Sequence, residues 1–138
     1  MHIEVHDRYK YYEYCVIVTI SGHRCGYVKT EEYDVVYGKD YDSSNQHVRC
    51  HGGLTYSDHT WFGGSDGYWI GFDCSHMGDA PDPEFKTEDN EGYYRLFNHG
   101  VVRTKDFCVS ECKFIIDDII VANLKIEGGL RIGDRSMF

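Results

Sequence analysis

The sequence predicts an α+β fold: a small, twisted, mainly antiparallel sheet packed against one long C-terminal helix. Residues 11–20 alternate, with Tyr12, Tyr14, Val16, Val18 and Ile20 on one face and Glu13, Cys15, Ile17 and Thr19 on the other. That period of two is the signature of a strand. Cys108, Cys112, Ile115, Ile116, Ile119 and Ala122 recur at helical spacing much later in the chain. Between these two segments, glycines, aspartates and two prolines punctuate short apolar runs, which favours strands and turns over further long helices. A helix with one apolar stripe must bury it, and the sheet is the partner on offer. At 138 residues the chain reads as one domain, 1–138.

In chain order, Ser21-Gly22-His23-Arg24 reads as a turn, and Cys25 to Lys29 as a strand returning from it. Residues 31–42 form an acidic, tyrosine-rich connection. Residues 46–56 read as a third strand interrupted by Gly52-Gly53, and residues 57–67, with Gly63-Gly64 and Asp66-Gly67, as loop. Tyr68 to Cys74 is a mostly apolar fourth strand. Residues 78–92 hold both prolines and many acids, hence a surface loop, and Gly92 to Phe97 a short fifth strand. Thr104 is placed to cap the final helix, with Asp106 in its first turn facing the positive end of the helix dipole. Lys113 and Asp117 lie one turn apart on its more polar side, and Gly128-Gly129 is expected to end it.

Composition narrows function. Fourteen Lys and Arg against 23 Asp and Glu give a formal net charge of -9. Direct nucleic-acid binding needs clustered basic residues, so a positively charged protein surface is the better partner. Asp40/Asp42, Glu88/Asp89/Glu91 and Asp117/Asp118 are candidate steering patches. No apolar run approaches the ~20 residues of a membrane span, and the polar segment Met1 to Asp7 lacks the apolar core of a signal peptide. The expectation is a cytoplasmic protein whose cysteines at 15, 25, 50, 74, 108 and 112 are reduced.

The chemistry concentrates in two glycine-flanked segments, Cys50-His51-Gly52-Gly53 and Asp73-Cys74-Ser75-His76-Met77-Gly78-Asp79. Imidazole, thiolate and carboxylate together suit zinc or another divalent metal. His51, Asp73 and His76 are the first candidates as ligands, with Cys74 and Asp79 competing for the remaining position. Three protein ligands leave an open, catalytic type of site, and four make a structural one. Strand alternation sends Asp73 and Cys74 to opposite faces, so both bind one ion only if the strand ends or bulges there. The competing reading is a hydrogen-bonded network in which His51 and Asp73 satisfy each other. Cys25, Cys108 and Cys112 read as core. Ser57 and Ser75 lack the setting of a nucleophile, and Gly63-Gly64-Ser65-Asp66-Gly67 has no lysine to make a phosphate cradle.

The order of motifs resembles a family of small, mostly uncharacterised proteins of phages and mobile elements. The matching pieces are Arg24-Cys25-Gly26-Tyr27-Val28, then Tyr37-Gly38-Lys39-Asp40-Tyr41-Asp42, then His51-Gly52-Gly53-Leu54-Thr55-Tyr56-Ser57. Trp69-Ile70-Gly71-Phe72-Asp73-Cys74-Ser75-His76-Met77-Gly78-Asp79 follows, and Arg103-Thr104 opens the helix; the likeness spans roughly residues 12–124. Glu31-Glu32-Tyr33-Asp34 departs from the family's His-Pro segment, and the loop after residue 80 is variable. The resemblance implies a phage origin, action in the bacterial cytoplasm, and a likeness to the metal-containing anti-CRISPR inhibitors of Cas9. The expected function is therefore inhibition of a host defence nuclease such as Cas9, by covering its basic surface and blocking nucleic acid access. The alternative is a metal-dependent hydrolase of a small or nucleotide-like substrate, with Asp79 as general base.

Overall fold

The alternating run becomes the centre of the sheet. Strand β2, Tyr12–Val18, is buried at every position. Tyr12, Tyr14 and Val16 join the main core, while Cys15 and Ile17 join a second cluster with Cys25, Phe62 and Trp69 on the other face. The computed structural model describes residues 2–133, with side chains over 2–125. Its main sheet has the order β1-β2-β3-β5-β4, antiparallel throughout, with β1 His2–Tyr9, β3 Arg24–Lys29, β4 Tyr56–Phe62 and β5 Ser65–Asp73.

The expected architecture is present, a five-stranded antiparallel sheet packed against one long C-terminal helix. Several elements depart from the expectation. β1 has no counterpart in the sequence reading. It is an edge strand of mixed polarity, and its hairpin to β2 turns at Lys10 and Tyr11, with φ of 49° and 72°. Two positive φ values make this the turn that matches strand twist, but glycine or asparagine normally signals it. Residues 57–67 are not loop: Gly63 and Gly64, φ 58° and 95°, form the two-residue turn of the β4–β5 hairpin.

Of residues 46–56 only Tyr56, the first residue of β4, is strand. A single helical turn, α1 at Tyr41–Ser44, is capped by the Asp40 carboxylate accepting from Ser43 N at 2.8 Å. The following loop is closed by Asn45, which accepts from Leu54 N at 2.8 Å and donates to Leu54 O at 3.1 Å. One side chain thus imitates a ladder pair and lets Val48 and Leu54 reach the core. The acidic loop holds a short strand β6, Asp79–Ala80, parallel to β7, Val101–Val102, and a 3-10 turn at Pro83–Phe85. Glu91–Leu96 is a helix, α2, not the fifth strand expected there.

Helix α3 runs over Lys105–Gly133, so Gly128-Gly129 does not end it. Thr104 caps it, accepting from Phe107 N at 3.1 Å. Cys108, Cys112, Ile115, Ile116 and Ile119 are fully buried against β1, β2 and β3. The helix comes so close that a Cβ on Gly26 would lie 2.8 Å from Cys112 Sγ and 2.5 Å from the Phe72 ring. Among the described residues no helix is long and apolar enough to cross a membrane.

Candidate functional site

The two motif segments meet where β5 ends and α3 begins, and they meet as two histidine–carboxylate pairs. His51 Nε2 lies 3.0 and 2.9 Å from the two oxygens of Asp79. His76 Nε2 lies 3.3 Å from Asp73 Oδ1, off the direction of a good hydrogen bond; the atom is buried and makes no other. The two imidazoles stand edge-on to each other, ring centroids 5.9 Å apart and planes at 70°.

Asp79 is the hub. Its side chain has no solvent exposure, yet it accepts from His51, from Arg103 Nε at 2.8 Å and from His76 N at 3.0 Å. Burial pushes its carboxyl up, but the hydrogen bonds from Arg103 and His51 outweigh that and hold it below the usual carboxylate range. Asp73 balances in the same way: burial raises it, and donation from the Thr55 hydroxyl at 2.8 Å and from Ser75 brings it below the ordinary value.

The backbone makes the meeting possible. Gly52 has φ of 70°, and a Cβ there would sit 2.3 Å from His76 Nε2. The glycine is required twice, by its left-handed conformation and by the imidazole lying on it. His51 is fixed from the helix: its N–H donates to Glu111 Oε1 at 2.7 Å and its ring stands edge-on to Phe107 at 5.4 Å. Glu111, Phe107 and Arg103 were absent from the sequence-based candidate set. Their signal was weak, because Phe107 and Glu111 sit one turn apart at the border of the apolar stripe and Arg103 precedes the helix.

Four of the five sequence candidates therefore come together: His51, Asp73, His76 and Asp79. Cys74 does not; it points the opposite way from Asp73, into the core beneath α3. Among the described residues no three His, Cys, Asp or Glu side chains converge as metal ligands. Donor atoms that suit zinc are present, but the Asp79 and Asp73 carboxylates are already held by Arg103, His51, Thr55 and Ser75, and His76 Nε2 is buried without a hydrogen bond. Cavities lie elsewhere, one of 530 Å³ between residues 45–49 and α3, one of 430 Å³ beside Glu31 and Asp66, and one of 380 Å³ beside Pro81 and Tyr94.

A third histidine lies behind this site. His23 is 3% exposed, its Nδ1 2.9 Å from Ser21 Oγ, its Nε2 buried without a partner and its ring edge-on to Phe97. Burial lowers its pKa, against an opposing pull from Asp79 and Asp73. The folded state thus refuses a proton that the unfolded chain accepts below about pH 6.5. Stability is expected to fall as pH drops through that value, by at most about 1.4 kcal/mol per pH unit from this residue. Thermal melts between pH 7 and 5 should show a shallower slope for His23→Gln than for wild type. Parallel slopes would mean that His23 titrates alike in both states.

No protein-family model, no curated protein and no solved structure matches this chain.

Proposed function

We propose that this chain is an acidic interaction protein that docks on the basic, nucleic-acid-binding surface of a host defence nuclease of the Cas9 type and blocks nucleic acid access. The observation that carries this reading is an acidic face studded with exposed aromatics. Glu31, Glu32, Tyr33 and Asp66 line one shallow depression against a single cation among the described residues, Lys29, whose ammonium is tied to Ser65 at 2.9 Å, and Asp66 shares the adjoining one with His59 and Trp61. Tyr33 is 75% exposed and Trp61 58%. Large aromatics left in water among like charges are typical anchors for a partner, and the carboxylates steer a cationic one. Other acids are committed internally: Asp117 binds Lys10 at 2.8 Å, Asp118 accepts from Arg49 N at 3.0 Å, and Asp40 caps α1.

Co-elution with a Cas9-type nuclease tests it. The complex should form at low salt and weaken between about 50 and 300 mM, as screening dictates. Joint Glu31→Lys, Glu32→Lys and Asp66→Lys substitution should slow association at least ~10-fold. Trp61→Ala should cost about 2 kcal/mol of binding, roughly 30-fold. A host panel of nucleases that are neither bound nor inhibited would sink the proposal.

One observation favours a second reading, a hydrolase of a small or nucleotide-like substrate. Two imidazoles 5.9 Å apart, each backed by a carboxylate, are placed to give and take protons across one scissile bond. In its metal-dependent form, His51, His76 and Asp73 would release their present partners to hold zinc or another divalent ion, which would acidify a bound water. A phosphoester screen with and without zinc tests this, with His51→Asn as the dead control. Activity equal in wild type and His51→Asn, or none in either, argues against it.

A further inference from the structure

We propose that Cys74 and Cys108 are a disulfide-forming pair, a modification site set directly beneath the histidine–carboxylate site. Their sulfurs are in contact at 3.6 Å. The two residues are 1% and 0% exposed and belong to different elements, Cys74 just past the end of β5 and Cys108 in the first turn of α3. Among the described residues no other thiol–thiol hydrogen bond is made, although all six cysteines are free. An S–S bond is about 2.05 Å long, so closure requires the two sulfurs, now 3.6 Å apart, to draw together by about 1.5 Å.

The chemistry is thiol–disulfide exchange with a low-molecular-weight disulfide. The thiolate of one cysteine attacks a sulfur of the oxidant, a mixed disulfide forms and one small thiol leaves. The second cysteine, as thiolate, then attacks the protein-bound sulfur, the internal bond forms and the second small thiolate leaves; the two departing thiolates take up the two protons lost by Cys74 and Cys108. Two protein thiols are oxidised and one disulfide is reduced. The closed fold is slow to begin this. Hydrogen bonding to Cys108, then burial, pushes the Cys74 thiol far up, so thiolate is scarce until the site opens. The opening segment is at hand, because Ser75, Met77 and Gly78 directly after Cys74 are exposed, Met77 completely.

The bond would tie the segment bearing Asp73, His76 and Asp79 to the start of the helix that supplies Phe107 and Glu111. It would enclose a loop of 34 residues of sequence separation, containing β6, α2 and β7. Such closure restricts the unfolded chain and stiffens the region in the folded one. Oxidation would therefore act on the rigidity of the histidine site without touching its residues, and it would be reversible.

The experiment treats the folded full chain with glutathione disulfide, in water and in sub-denaturing urea, then alkylates free thiols and maps the peptides. The expected result is a linked Cys74–Cys108 peptide, four alkylated cysteines out of six, a raised melting temperature and return of all six thiols on reduction. The link should form faster in urea, since opening limits it. Cys25→Ser and Cys112→Ser proteins should form the same link, and Cys74→Ser or Cys108→Ser should form none. If neither single variant of the pair folds, the wild-type map and the Cys112→Ser protein still decide. Links among other cysteines, stable mixed disulfides at Cys74 or Cys108, or six alkylatable thiols after treatment in urea would each overturn the proposal.

Discussion

An Asp79→Ala protein is expected to lose about 3–5 kcal/mol of stability, the cost of breaking a buried ion pair from one side. Asp79 has no solvent exposure, while its partners Arg103 and His51 have side chains 27% and 19% exposed. Removing the carboxylate strands a guanidinium, an imidazole and the His76 N–H in a space that water barely enters. Because Arg103 keeps some contact with solvent, the lower end of that range applies. Asp79→Asn should recover little, since its amide offers one acceptor where three donors converge. The effect has a pH signature with a definite sign. The folded-state pKa of Asp79 is depressed, so its contribution is fully present above the unfolded value near 3.9 and is lost as pH falls through the folded one. Urea titration at pH 7 and pH 3 checks both statements. The gap between wild type and Asp79→Ala should narrow in acid, and a variant within 1 kcal/mol of wild type at pH 7 would show that the carboxylate is not a hub.

The parts of this molecule that were legible in its sequence are those governed by periodicity. β2 and the core face of α3 each repeat an apolar pattern for long enough that only one element fits it; α3 buries the expected stripe, and β2 covers Tyr12–Val18 of the expected 11–20, with Ile20 left 79% exposed beyond its end. The site segments were legible as residue types: His51, Asp73, His76 and Asp79 do gather. What the sequence hid is the work of single side chains and single backbone angles. Asn45 closes the loop before β4 with one side chain that pairs both polar groups of Leu54, so Val48 and Leu54 reach the core from a loop, where buried apolar residues read as a strand. Lys10 and Tyr11 turn a hairpin with residues that seldom adopt positive φ, so β1 went unseen. Glu91–Leu96 is too short for either period to be decisive, and a helix and a strand compete on equal terms there. Within the site, the hidden element is Arg103. It lies 24 residues from Asp79, in the Arg103-Thr104 pair that reads only as a helix start, so only the fold brings its guanidinium to the carboxylate.

Arg103 also leads to the second large effect. Its carbonyl accepts from Arg24 Nη1 at 3.0 Å, and Arg24 is itself a buried hub, with a side chain 4% exposed. Arg24 Nε and Nη2 reach the two oxygens of Glu4 at 2.6 and 3.1 Å, Nη2 also reaches Asp82 at 2.8 Å, and the guanidinium lies over the Phe85 ring at 5.6 Å. One side chain on β3 therefore fastens the edge strand β1, the turn before α2 and the residue that feeds α3. Burial works against its charge, but the bonds to Glu4 and Asp82 win, and the guanidinium stays ionised. Arg24→Met keeps the stem and deletes the fork, leaving Glu4 and Asp82, 11% and 19% exposed, with no counter-charge. The expected loss is about 3–5 kcal/mol. Arg24→Lys should restore only part of it, because a single ammonium cannot span two carboxylates and a carbonyl in the planar geometry the site demands. Replacing Glu4 by Leu in the Arg24→Met background should recover stability, since the penalty lies in the stranded charge more than in the missing bond. A double-mutant cycle with Asp79→Ala reads the link through Arg103. Non-additivity of 0.5–3 kcal/mol, about the range for residues in one network, is expected. Strict additivity would make the two hubs independent and confine Arg24 to anchoring β1 and the turn at Asp82.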